Sequence, residues 1–275
     1  MEARLLNLED FVHAGEGANG ESLNHRTDSS IMVKLYNAGT PREKIEKELV
    51  FAQKIYELGI PSPKPGEYVT DGKGRYGILF QRIVGKKSFS RSIGDNPENV
   101  EEYARRFARL CKLLHSTKVS TKGFVSVKDQ YRDILAKSDV YTPEESAYIT
   151  KLIDEAPDGD TAIHGDLQFG NVITDGKRDL FIDMGDFSYG SPLFDLGMVL
   201  FTSLYDDVEF LREVFHMEPE SGREFWKYFC KEYFGEDCDI DKKEEEIRPY
   251  AALKLLIIER DCKCALPHYH WLLKA

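Results

Sequence analysis

The pattern of polar and apolar positions changes near residue 85, and that change divides the chain into two parts. Before it, apolar residues alternate with polar ones or run in short blocks, the pattern of strands with one face buried. Residues 4–13 and 21–36 read as strands, and the clearest stretch is Ser29-Ser30-Ile31-Met32-Val33-Lys34-Leu35-Tyr36. A helix follows. Thr40 is expected as its N-cap, Pro41 at its first position, Glu43 as the reciprocal member of a capping box and Gly59 just past its end. Ile45, Leu49, Ala52 and Ile55 recur at helical spacing and mark its buried face. Extended runs around Glu67–Thr70 and Arg75–Val84 flank Asp71-Gly72-Lys73-Gly74, a hairpin signal.

Beyond Gly85 the pattern becomes helical. Asn96-Pro97 and Thr142-Pro143 read as helix starts, the second with Glu145 completing a capping box. Residues 161–190 interrupt with short apolar runs and a turn at Gly176, after which helical patterns resume at 193–205, 221–234, 243–261 and the C-terminus. The expected architecture is α+β and two-lobed. Residues 1–85 form a small N-terminal antiparallel sheet plus one helix, and residues 86–275 form a larger, mainly helical C-terminal lobe.

Composition adds constraints on compartment and partners. With 275 residues, 41% hydrophobic and 31% charged, the chain has the make-up of a soluble globular protein. Glu2, Glu9 and Asp10 interrupt the opening segment, which lacks the apolar core of a secretory signal. No apolar run approaches the roughly 18 residues of a membrane span, so a cytoplasmic protein without a membrane partner is expected. Cys111, Cys230, Cys238, Cys262 and Cys264 are scattered without paired CxxC spacing, which suits reduced thiols. The formal charge of −11 argues against a nucleic-acid partner, which calls for a basic footprint. Residues 1–85 hold 12 acids and 11 bases, residues 86–275 hold 36 and 26. The acidity therefore belongs to the second part, as a solvated surface or as a cleft that attracts a cationic substrate.

The candidate chemistry is ordered along the chain. Gly15-Glu16-Gly17-Ala18-Asn19-Gly20 leads into a strand, whereas a dinucleotide-binding turn would open a helix. Between strands such a loop either folds over a nucleotide's phosphates or is a plain glycine hairpin. Lys34 stands in the middle of an apolar strand, and Glu48 lies on the flank of the next helix's apolar face. A strand lysine held by a helix carboxylate can grip phosphate oxygens. The most informative stretch is His164-Gly165-Asp166-Leu167-Gln168-Phe169-Gly170-Asn171-Val172, followed by Phe181-Ile182-Asp183-Met184-Gly185-Asp186. Phosphoryl transfer needs a carboxylate near the acceptor hydroxyl and hard oxygen ligands for Mg²⁺, and Asp166, Asn171 and Asp183 supply them.

Together with Gly190-Ser191-Pro192-Leu193-Phe194-Asp195-Leu196, these motifs resemble the aminoglycoside phosphotransferase and choline kinase-like family, which has a protein-kinase-like fold. The resemblance implies a phosphotransferase that uses ATP or GTP with Mg²⁺ and has an alcohol group on a small molecule as acceptor: an amino sugar, an amino alcohol or a sugar. It implies that Gly15, Gly17 and Gly20 cover the phosphates, that Lys34 and Glu48 orient them, and that the backbone from Gln81 to Ile83 meets adenine. Asp166 is then the catalytic carboxylate, Asn171 and Asp183 the metal ligands, Asp195 a brace for the catalytic loop and His164 its structural partner. Glu259 and Asp261 fall where relatives bind acceptors. Three positions depart from the family pattern: Ser191, Gln168-Phe169 and Gln81. With eight residues between Asp183 and Pro192 there is no room for a long activation loop, which favours a small acceptor over a peptide. Two other classes compete with this one. A non-catalytic nucleotide-binding module would be favoured by a missing lysine or aspartate, and a metal-dependent hydrolase on His164, Asp166, Asp183 and Asp186 leaves Lys34 and Glu48 unexplained.

Overall fold

A computed structural model describes residues 1–17, 20–120, 123–205 and 207–274. The chain divides into two compact units: Met1–Lys86 with Ile173–Gly185, and Lys87–Val172 with Asp186–Ala275. The segment 173–185, expected in the second part, thus packs with the first. No helix among the described residues is long and apolar enough to cross a membrane.

The first unit carries strands β1 (Arg4–Leu5), β2 (Phe11–Gly17), β3 (Gly20–His25), β4 (Ile31–Tyr36), β5 (Pro65–Thr70) and β6 (Tyr76–Gln81), with helix α1 (Arg42–Glu57). They form one sheet in the order β1-β5-β6-β4-β3-β2, antiparallel except where β1 runs parallel to β5. The period of two in β4 decides what each face does. Val33 and Leu35 are fully buried in a cluster with Leu6, Phe11, Leu23, Val69 and Leu79. Tyr36 belongs to the opposite cluster, with Ile45 and Leu49 of α1, Tyr68 and Ile78. Lys34 shares its parity with Tyr36, so it projects on the face that α1 covers.

Four local expectations change in this unit. The strand expected over 4–13 is broken by a 3-10 turn at Leu8–Asp10, because the Asn7 side chain accepts the Glu9 N–H and diverts the backbone. The run 21–36 is two strands. Between them the His25 ring nitrogen accepts the Thr27 and Asp28 N–H groups, and the Asp28 carboxylate accepts that of Ser30. The Thr40–Glu43 capping box is not formed: Pro41 is extended at ψ 132° and takes the N-cap position without a side-chain bond, so the helix starts one residue later. The second hairpin strand ends at Gln81, short of Val84.

The chain enters the second unit through β7 (Lys87–Ser88), then α2 (Phe89–Asp95), α3 (Val100–Ser116), α4 (Val127–Lys137), α5 (Pro143–Glu155) and β8 (Thr161–Ile163). It passes through the paired strands β9 (Val172–Thr174) and β10 (Asp179–Phe181), most of which belong to the first unit, where Ile173 and Leu180 pack with Ile83. It ends in the second with β11 (Ser188–Gly190), α6 (Leu193–Leu200), the short α7 (Val208–Phe210), α8 (Pro219–Phe234), α9 (Ile240–Ala251) and α10 (Lys254–Cys262). The Thr142–Glu145 capping box forms as expected and starts α5 at Pro143. Asn96 makes no side-chain cap, and Pro97–Asn99 is a 3-10 turn leading into α3. The helix expected over 193–205 passes into a π-helical turn at Phe201, and that expected over 243–261 is broken at Ala252–Leu253. The core of this unit is aromatic. Phe107 meets Phe225 edge to face at 5.4 Å, and Phe225 in turn meets Phe169 at 5.3 Å.

Candidate active site

Within the first unit the sheet and α1 bring the two expected phosphate-binding side chains together. Lys34 Nζ donates to Glu48 Oε1 at 2.9 Å, and both side chains keep just over a quarter of their surface exposed. The lysine also lies 5.1 Å from the Tyr36 ring centre. Tyr36 itself is buried, and burial first, then the neighbouring Glu48, pushes its phenol far above the usual range. Gly15 and Gly17 end β2 and Gly20 opens β3, with Gly17 opposite Gly20 in the register. Ala18 and Asn19, which complete the GxGxxG sequence, lie outside the described residues. Gly20 is fixed by close approach: a Cβ there would stand 2.2 Å from the Leu35 carbonyl oxygen. A cavity of about 340 Å³ in this unit is lined by Gly15, Ser22, Met32, Arg82, Ile83 and Lys86, among others. Gln81 donates its backbone N–H to the Lys64 carbonyl at 2.8 Å, and Ile83 is buried.

Asp183 also belongs to the first unit, just after β10. Its backbone sits at φ +56°, a left-handed conformation that a non-glycine residue adopts at a cost of about 1–2 kcal/mol. Asp is among the few side chains that visit it, and such strain collects at functional positions.

The second unit holds the loop that starts after β8. Asp195, on α6 and fully buried, accepts the backbone N–H groups of His164 at 2.8 Å and Gly165 at 3.0 Å, one on each carboxylate oxygen. Its Oδ2 also faces His115 Nε2 at 3.2 Å, and His115 Nδ1 meets the Tyr233 hydroxyl at 2.7 Å. So α3, α6 and α8 converge on one carboxylate that fixes the loop's backbone. His164 Nδ1 accepts the Asp166 N–H at 3.3 Å. Gly165 has φ +88°, and a Cβ there would lie 2.3 Å from the Asp186 carbonyl oxygen. The departure at Gln168-Phe169 has a physical role: Gln168 Oε1 accepts the Gly170 N–H, while fully buried Phe169 packs against Phe215 at 4.7 Å. Ser191 Oγ accepts the Leu193 N–H at the start of α6.

On this scaffold the Asp166 carboxylate is held at both oxygens. Asn171 Nδ2 donates to its Oδ2 at 2.9 Å and to its backbone carbonyl at 2.8 Å. Lys254 Nζ, from α10, donates to its Oδ1 at 2.5 Å. Burial alone would raise the Asp166 carboxyl, but the Lys254 ammonium, with help from His164 and Asn171, outweighs it and holds the group below the usual carboxylate range. Because the Asn171 amide nitrogen is spent on Asp166, its Oδ1 is the atom suited to a hard cation. Nearby, Asp186 receives both guanidinium nitrogens of Arg260 at 2.8 Å each, and Gln130 Nε2 at 3.1 Å.

The two late acids singled out in the sequence have separate fates. Glu259 is buried, and its Oε1 accepts the Leu266 N–H at 2.7 Å and faces His270 Nε2 at 3.0 Å. His270 Nδ1 reaches Glu145 Oε1 at 2.9 Å, so Glu259 helps tie the C-terminal segment to α5. Asp261 is exposed and paired with its neighbour Arg260. Sequence reasoning missed Lys254, His115 and Tyr233. For Lys254 a signal existed: it is a lone lysine in the run Ala251-Ala252-Leu253-Lys254-Leu255-Leu256-Ile257-Ile258, the same feature that singled out Lys34 in β4.

The family model described as APH, phosphotransferase enzyme family, matches residues 22–229. No curated protein matches the chain by sequence. Among solved structures, the chain is similar to the aminoglycoside phosphotransferase APH(3'')-Id of Streptomyces rimosus in complex with ADP and streptomycin, with 18% identity, a TM-score of 0.57 and 86% of this chain and 90% of that one covered. It is similar to an amicoumacin kinase bound to AMP-PNP and Ca²⁺, with 15% identity, a TM-score of 0.60 and coverage of 98% and 87%. A choline/ethanolamine kinase family protein from Mesorhizobium loti gives 14% identity, a TM-score of 0.54 and coverage of 96% and 84%. These likenesses show the kinase-like fold expected from the motifs.

Proposed function

Since the chain belongs to the APH phosphotransferase enzyme family, we propose that it moves the γ-phosphoryl group of ATP or GTP onto a hydroxyl of a small-molecule acceptor. The observation that carries this reading is the Asp166 carboxylate, held by Asn171 and Lys254 on a loop whose backbone is pinned by Asp195. Phosphoryl transfer asks a protein for positioning and charge more than for covalent chemistry, and a carboxylate fixed at both oxygens meets that demand. Each carboxylate oxygen can accept more than one hydrogen bond, so Asp166 retains capacity to accept the acceptor's hydroxyl and take its proton. His164 and Asp195 hold the loop in place.

In the first unit, the Lys34 ammonium is oriented by Glu48 and is the group to neutralise phosphate oxygens. The turn containing Gly15, Gly17 and Gly20 is the segment to lie over those phosphates, and the Gln81–Ile83 backbone is the place for the base. For a divalent cation, Asn171 of the second unit would offer its Oδ1, and Asp183 of the first unit a carboxylate. Mg²⁺, when bound, supplies charge neutralisation on the phosphates. The strand lysine, its glutamate and both acidic groups are all present, which weighs against a non-catalytic module.

The reading is tested by a coupled nucleoside-diphosphate release screen of the purified chain with ATP and GTP against amino sugars, amino alcohols and simple sugars. Acceptor-dependent release is expected with one nucleotide at least. Release no faster than the acceptor-free rate across the panel would overturn the assignment.

A further inference from the structure

Lys254 is only 7% exposed, in an otherwise apolar stretch of α10. An ammonium is costly to bury unless it is paired, and an apolar side chain would pack there without that cost. The lysine is not required to hold the loop's backbone, which Asp195, His164 and the buried Phe169 already fix. Its contact is with the carboxylate itself, Nζ to Oδ1 at 2.5 Å. Two other acids of the second unit are also answered from within it: Asp186 by Arg260, and Asp195 by His115 and two backbone N–H groups. An acceptor arriving at Asp166 with an ammonium of its own meets a cation already in that place.

We propose that Lys254 is the built-in counter-cation of Asp166, a positioning residue that also selects neutral polyol or sugar hydroxyls over amino sugars and amino alcohols. The inference rests on the phosphotransferase reading of Asp166. It runs against the cationic acceptor suggested by the acid excess beyond residue 85, for a physical reason. Net charge acts over a Debye length of about 10 Å at 0.1 M salt, whereas selection at contact depends on which carboxylates still lack a partner.

The test uses the full chain and diphosphate release with two matched pairs, glucose with glucosamine and glycerol with 2-amino-1,3-propanediol. Expected for the native protein is a kcat/KM at least about tenfold higher for the neutral member of a pair. Lys254→Ala should lower turnover of the neutral acceptor by about a hundredfold and shift the preference toward the amine by at least about tenfold. Methylammonium chloride should restore part of the lost rate saturably, while equal sodium chloride or methanol should not, and Lys254→Arg should retain more activity than Lys254→Ala. A native preference for the amines, or an alanine variant with an unchanged preference and no response to methylammonium, overturns the proposal. Urea unfolding of Lys254→Met, Asp166→Asn and the double variant gives a readout free of activity. A midpoint shift that is not additive supports the pair, and strict additivity refutes it. If no acceptor is turned over, the phosphotransferase reading and the acceptor claim fall together, while the urea cycle still decides the pair.

Discussion

The proposed chemistry depends on a few atoms whose positions are set one bond at a time. Asp166→Asn keeps the shape and one acceptor oxygen but removes the charge that a positioned acid–base group needs. Turnover should fall by at least about a hundredfold, while circular dichroism stays native and nucleotide affinity changes little, as an equilibrium titration would report. Gly165 is the contrasting case, because it carries no chemistry. With φ +88° and the Asp186 carbonyl 2.3 Å from where a Cβ would sit, Gly165→Ala combines backbone strain with a clash against main chain. A loss of at least about 1 kcal/mol in urea unfolding is expected, together with a fall in turnover, since the strained residue adjoins Asp166. Retention of native stability would mean that the loop has a second conformation of similar energy.

At the scale of elements, the two capping boxes written in the sequence separate propensity from outcome. Thr142 satisfies the Glu145 N–H and Glu145 reaches back to Thr142, so Thr142→Ala should cost about 1 kcal/mol in urea unfolding. Thr40 and Glu43 have the same spacing, yet the extended Pro41 starts α1 without a side-chain cap. Thr40→Ala should therefore stay within about 0.5 kcal/mol of the native protein. Equal costs for the two would show that Thr40 caps α1 in solution. Element types were legible because period and capping chemistry are local properties. The breaks inside 4–13, 21–36 and 243–261 were not, because they depend on single hydrogen bonds, such as that from Glu9 N–H to Asn7, or on packing of the following segment.

At the scale of the whole molecule, Asp195 joins α6 to α3, to α8 through His115 and Tyr233, and to the loop after β8. Each Asp195 oxygen accepts one backbone N–H, and an amide nitrogen in place of one oxygen leaves a buried donor facing a donor, so Asp195→Asn should cost about 2–3 kcal/mol in unfolding free energy and lower turnover as well. Asp166→Asn should lower stability as well as turnover, because it leaves the buried Lys254 ammonium without its counter-charge. A variant at Asp195 that kept native stability would show that other contacts position the loop. The sequence alone determined the division into a strand-rich part and a helical part, the order of the chemical groups from Lys34 to Asp183 and the family, because periodicity and motif spacing are properties of neighbouring residues. Tertiary structure decided which distant groups meet them. The sheet face that turns Lys34 toward Glu48, the 88 residues that separate Asp166 from Lys254 and the burial of Glu259 behind His270 all follow from packing. Packing joins residues that no local pattern connects, and so it alone could supply the counter-charge of the loop.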